Sequence, residues 1–244
     1  MRKKIIIFLM FFSVITVYAS VSLKEQAAKS AESYNNGNYE DSIKEYELMI
    51  LNGINNPYVY YNLSNSYYKN NNIGRASLNI ERALRLAPRD KDIRYNRSFI
   101  AKLSGEPQRN AAEQIVYEIK LLFSLNELVT AFFIITVFLC VSAGIYFLRQ
   151  RKNLLKVTIV CFVVFSLNSV MLYFKFYDEV SVDEAIVLSD TQVRNKPIKS
   201  EDGAFAVLAG RKVIILSELG RWVNIKLSVD GFSGWIDKNY IEKI

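Results

Sequence analysis

The chain has 244 residues, with 31 Lys and Arg against 24 Asp and Glu, a net charge of +7 and no histidine; half of it is hydrophobic. The missing histidine removes the commonest general base, the Ser-His-Asp triad and most zinc sites. Two cysteines, Cys140 and Cys161, make neither a zinc site nor a disulfide framework. A basic balance ordinarily raises nucleic acid as a partner, but only if the charge lies on a folded face. Here Arg2, Lys3 and Lys4 precede the first apolar run, and Arg149, Arg151, Lys152 and Lys156 flank or lie in a link between two later runs. Those seven residues account for the whole excess, so no nucleic-acid partner is expected.

Residues 1–19 have a basic start, an apolar stretch from Ile5 to Val17 and a small-residue site ending at Ala19. This pattern predicts a signal peptide, with an uncleaved N-terminal anchor as the alternative. No cysteine follows it, which excludes a lipoprotein signal.

From 20 to 105 the sequence repeats at 34 residues. The clearest unit carries Tyr60, Leu63, Ser64, Tyr67, Ala76, Ile80 and Ala83 and ends at Pro88. Small Ser64 and Ala76 allow two helices to cross closely, and Pro88 stops the second. One period earlier stand Ser30, Ser42, Tyr46 and Met49, and one period later Ser98. The turns fall at 35–39 and 70–73. This spacing resembles the tetratricopeptide repeat, strongly in the second unit, with only a first helix in the third. The resemblance implies a concave groove lined by Tyr61, Asn62, Asn65, Tyr68 and Lys69, then by Tyr95, Asn96 and Phe99. It gives Asn62 and Asn96 the position that holds a partner's backbone or terminal carboxylate in some members. The first-unit residue there is Ala28, which departs from a full carboxylate clamp. The alternative is that these tyrosines only cover helix surfaces.

Charge is polarised in this segment. Residues 20–68 carry three basic and six acidic side chains, and residues 69–109 carry ten and four. Arg75, Arg82, Arg85, Arg89, Arg94 and Arg97 are therefore expected to form either a basic face for an acidic partner or anionic headgroups, or a solvated surface. Gly105-Glu106-Pro107 breaks the repeat, and Ala111 to Leu122 reads as a capping helix within a juxtamembrane segment 106–127.

Residues 128–148 are free of charge, and residues 154–174 contain only Lys156 near their start. Both are long enough to cross a hydrocarbon core of about 30 Å. The basic link 149–153 between them predicts a hairpin with the link in the cytoplasm and both flanking units exported. An inner-membrane location follows. Ser142, Ala143 and Gly144 permit close packing, Asn168 can bond across the hairpin, and two helices suit an anchor better than a conduit.

After Lys175 the pattern becomes alternating. Strands are expected at 185–188, 205–208, 211–216, 221–227 and 234–236, which suits a compact five- or six-stranded barrel over 180–244. Gly210-Arg211-Lys212-Val213, Gly220-Arg221-Trp222-Val223 and Gly234-Trp235-Ile236 resemble a bacterial SH3-like domain. The resemblance implies peptide binding, often in cell-wall contexts. Trp222 and Trp235 are either core residues or groove residues, with Trp235 the better groove candidate.

There is no phosphate loop, no metal-ligand spacing and no nucleophile beside a base, so no enzyme, cofactor or metal is expected. The whole order is multidomain: a helical repeat, a membrane hairpin and an all-β SH3-like unit. It resembles BatE-type proteins of the aerotolerance (Bat) operons. That resemblance implies a noncatalytic scaffold linked to envelope stress tolerance, with von Willebrand factor A-domain membrane proteins and a MoxR-type ATPase as neighbours. The competing reading is a cell-wall sensor that binds peptidoglycan peptides. A third is an accessory subunit of an enzyme encoded elsewhere.

Overall fold

The computed structural model describes residues 24–198, 203–227 and 231–244. The expected signal peptide at 1–19 lies outside the described residues. The described residues form eight α-helices and seven strands in three parts: a helical unit, two long apolar helices and a β unit.

The helical unit stacks α1 (24–35), α2 (Tyr39–Leu51), α3 (Pro57–Lys69), α4 (Ile73–Leu86), α5 (Lys91–Leu103) and α6 (Ala111–Lys120). Local chemistry sets their starts. Pro57 occupies the first turn of α3, where its missing N–H costs nothing, and the Asn56 side chain accepts from the Tyr58 N–H. Asn72 and Asp90 cap α4 and α5 in the same way. Helices α3 and α4 cross where Ser64 and Ala76 are both fully buried, and the Ser64 hydroxyl donates to the Ala76 carbonyl at 2.7 Å. Around that crossing Tyr46, Met49, Leu63, Ile80, Ala83, Ile93 and Ile100 form one continuous core.

Helices α7 (Leu125–Arg149) and α8 (Lys152–Phe176) have 25 residues each, about 37 Å at the α-helical rise, and are long and apolar enough to cross a membrane. Ser124 and Glu127 cap α7 reciprocally, so the helix begins before the apolar run does. Only Gln150 and Arg151 separate the two helices, and Gln150 takes a left-handed φ of 44° to turn the chain back. Phe132 meets Phe165 at 5.2 Å between ring centres across the hairpin.

The β unit is one antiparallel sheet of β1 (Glu184–Val187), β2 (Thr191–Arg194), β3 (Gly203–Val207), β4 (Lys212–Leu219), β5 (Trp222–Leu227), β6 (Ser233–Asp237) and β7 (Ile241–Lys243). The order β3-β2-β6-β5-β4-β1-β7 leaves β3 and β7 at its edges, so the sheet is a curled half-barrel of seven strands. Five or six strands were expected over five named ranges; β2 and β7 lie outside those ranges. Ala185, Val187, Val193, Val213, Val223, Ile225 and Ile236 fill its concave side. Alternation therefore turns Trp222 and Asn224 outward, and the β5–β6 register puts Asp237 and Trp235 beside them.

Candidate functional site

Two surfaces of the helical unit differ in chemistry. The first is a cleft of about 370 Å³ built on α1, α3 and α5. The expected residues Tyr61, Asn65, Tyr68 and Lys69 line it from α3, and Tyr95, Asn96 and Phe99 from α5. Tyr68 and Phe99 meet edge to face at 5.4 Å, and Tyr95 is 71% exposed. The Asn96 amide N–H donates to the Asn65 amide oxygen at 2.8 Å. That bond uses the Asn65 oxygen and one Asn96 N–H, so the pair still carries the Asn65 amino group as a donor and the Asn96 oxygen as an acceptor, the two functions a peptide backbone matches.

Two residues depart from expectation. Asn62 is not in the cleft lining; its side chain lies toward the buried Tyr46 hydroxyl. One period on, the counterpart of Tyr46 is Ile80, which has no hydroxyl to offer, so Asn96 turns to Asn65 instead. Tyr34 lines the cleft from α1 and was missed, although it stands one 34-residue period before Tyr68.

The second surface is the arginine-rich one, and its side chains are distributed over internal ion pairs rather than one open basic face. Arg82 pairs with Glu242 at 3.0 Å and donates to the Lys243 carbonyl. Arg85 pairs with Glu184 at 2.9 Å and donates to the Ile244 carbonyl. Both contacts tie α4 to the β unit. Arg89 pairs with Glu127 and reaches the Leu122 carbonyl, and Arg94 holds Glu118 at 2.6 Å. Arg75 lies 3.8 Å from Glu47 and over the Tyr67 ring. Burial and the Glu47 carboxylate push the Tyr67 phenol up to about 12.

Arg97 is the most enclosed of the six. It lies between Glu81 at 2.7 Å and Glu106 at 3.0 Å, with all three side chains buried. Glu81 also receives Lys212 from β4 at 3.3 Å, and Lys212 reaches Glu184 at 2.8 Å. Burial would raise the Glu81 carboxyl, but Arg97 and Lys212 outweigh it and hold it well below the usual carboxylate range. Burial would lower Arg97 and Lys212, and their carboxylate partners reverse that sign too.

The backbone completes the junction. A Cβ on Gly74 would overlap the Leu188 carbonyl, and Gly210, at φ +85°, sits against Ser104 and Ile73. The Ser77 hydroxyl donates to the Gly210 carbonyl at 2.7 Å, and Arg211 donates to the Gly105 carbonyl.

On the β unit, a cleft of about 410 Å³ is lined by Asp190, Gln192, Arg194, Trp222, Asp237 and Tyr240, with Arg221 at its rim. Arg194 and Arg221 each lie 5.7 Å from the Trp222 ring centre. Trp235 is half-buried beside Asn224 and is not in this lining, so Trp222 is the tryptophan that the cleft uses. Among the described residues no group of three or more Cys, Asp or Glu is placed to hold a metal. No family model matches this chain, and no curated protein matches it.

Proposed function

We propose that the protein is a noncatalytic, membrane-anchored scaffold that binds an extended segment of a partner protein in the cleft of α1, α3 and α5. The observation that carries this reading is the contrast in that unit: its arginines are engaged internally, while the tyrosines and the Asn65–Asn96 pair are left open. Aromatic side chains give area at low entropic cost, and a paired amide gives backbone recognition. The reading treats the helical unit as a tetratricopeptide array and the β unit as SH3-like. It sets α7 and α8 across an inner membrane with the basic link inside and both units exported. On this reading the chain acts beside von Willebrand factor A-domain proteins, as BatE-type proteins do.

The test is site-specific photocrosslinking in native membranes. A photoreactive residue at Phe99 is expected to give a discrete adduct that Asn65→Ala and Asn96→Ala each reduce at least about tenfold, which corresponds to about 1.4 kcal/mol. The same group at Phe138 on α7 serves as the lipid-facing control. Absence of a Phe99 adduct, or an adduct indifferent to both asparagines, overturns the reading.

One observation favours the second reading, a cell-wall sensor. The cleft on the β unit lays the Trp222 ring beside Arg194 and Arg221, with Arg221 already paired to Asp237, and an aromatic floor of that kind suits a short peptide chain. Retention of the full chain on purified sacculi, lost in Trp222→Ala and kept in Phe99→Ala, would move the function there.

A further inference from the structure

Among the described residues, helix α6 is packed on one side only. Tyr117 lies under Arg109 at 4.0 Å, Glu118 holds Arg94 at 2.6 Å and Leu121 is buried, which fixes the side facing the helical unit. On the opposite side Ile115, Val116 and Ile119 are more than half exposed, and the apolar stripe continues through Leu122 and Phe123. A short helix that spends three large aliphatic residues on open water is expected to have a cover.

The geometry indicates what covers it. Val116, Ile119 and Phe123 form one wall of a cleft of about 580 Å³, and Val170, Met171 and Phe174 of α8 form the other. The α8 residues lie at the end of that helix away from the link. At about 1.5 Å per residue, a hydrocarbon core of about 30 Å takes about 20 residues of α8 counted from the link, which brings its far edge close to Tyr173 and Phe174. The cleft therefore sits where acyl chains meet headgroups. Its rim has the composition of that layer: Tyr177, with Lys120 paired to Asp178 at 2.7 Å and Lys175 to Glu179 at 2.9 Å. Those pairs leave the rim neutral, so the site asks for chain rather than for headgroup charge.

We propose that α6 is an interfacial helix whose apolar face is immersed in the leaflet beside the folded units, and that phospholipid acyl chains fill the cleft between α6 and α8. This rests on the membrane-spanning reading of α7 and α8, and goes beyond it by adding a third lipid contact that does not span.

The test uses the full chain in phosphatidylcholine vesicles, with Cys140→Ala and Cys161→Ala removing the native thiols. A single fluorescent label is placed by Ile119→Cys, by Val116→Cys, by Gln114→Cys on the exposed polar part of α6, or by Val137→Cys at mid-α7. Quenching is read from phospholipids bearing a nitroxide near the top or near the end of one chain. The Ile119 and Val116 labels should be quenched about twofold more by the shallow nitroxide than by the deep one, Val137 the reverse, and Gln114 by neither. No anionic lipid should be needed. If Val137 is quenched but Ile119 and Val116 behave like Gln114, whether water or a second copy covers the face, the inference is overturned while the spanning reading stands. If Val137 itself is not quenched, the spanning reading fails and this inference with it.

Discussion

The two sides of the helical unit follow opposite rules. On the junction side, α4 presents Arg82 and Arg85, and each meets a carboxylate and a backbone carbonyl of the β unit. On the cleft side, α3 and α5 present aromatic rings and amides with hydrogen-bonding capacity left over. Concentrated charge in a sequence suggests recognition, yet here it builds the molecule, and the nearly uncharged surface is the one left open. A buried charge must be paired within the fold, whereas a tyrosine ring tolerates both water and a partner.

The largest effect is expected at Arg97. Arg97→Ala leaves Glu81 and Glu106 buried with less compensation and should cost about 3–5 kcal/mol of stability, read by chemical denaturation of the full chain in detergent. A cost below about 1 kcal/mol would mean that the junction is not built on charge.

Gly74→Ala comes next. At an open helical position the change stabilises by up to about 1 kcal/mol, but here the new Cβ meets the Leu188 carbonyl, and a loss of about 1–3 kcal/mol is expected. Gly144→Ala in α7, where a Cβ meets nothing, is the control and should not lower the melting temperature.

Acid titration sharpens the same contrast. The Glu81 carboxyl is depressed from its ordinary value of 4.5, so its contribution is fully present above that value and is lost as pH falls below it. Below about pH 4, stability should fall by up to about 1.4 kcal/mol per pH unit from this carboxylate alone. Glu81→Gln should flatten that limb; an unchanged slope would remove Glu81 from the account.

The smallest stability effect belongs to the cleft. Tyr95→Ala should change stability by less than about 0.5 kcal/mol, because the ring is mostly in water, while abolishing most of the Phe99 adduct. A large stability loss at Tyr95 would make the cleft a structural surface after all.

The cleft was largely legible because the 34-residue period places Tyr61 and Tyr95, or Asn65 and Phe99, at matching positions of α3 and α5. Asn62 escaped because a repeat fixes where a residue stands but not what its neighbour offers, and Tyr46 offers a hydroxyl where Ile80 does not. The arginine partners were not legible at all. Glu184 and Glu242 lie 99 and 160 residues away from Arg85 and Arg82, beyond the reach of any count made within a segment. Strands β2 and β7 were missed for a local reason: β2 buries only Val193 among polar neighbours and β7 has three residues, so neither shows an apolar pattern. The long apolar helices were readable throughout, but each runs past its apolar stretch at both ends, so the expected link 149–153 shrinks to Gln150 and Arg151; at the start of α7 the extension comes from the Ser124–Glu127 cap.

The docking of α4 against the β unit has a consequence for reach. Because Gly74 abuts Leu188 and Arg82 and Arg85 hold the far end of the same helix, no flexible tether intervenes between the aromatic cleft and the Trp222 cleft. On the proposed reading, a ligand long enough to touch both would meet them at one set separation, as the jaws of a calliper meet a rod. Its second contact then forms without the entropy of closing a loop, and a ligand of the wrong span gains nothing from the second site. Were one ligand to use both clefts, its length would count alongside its chemistry.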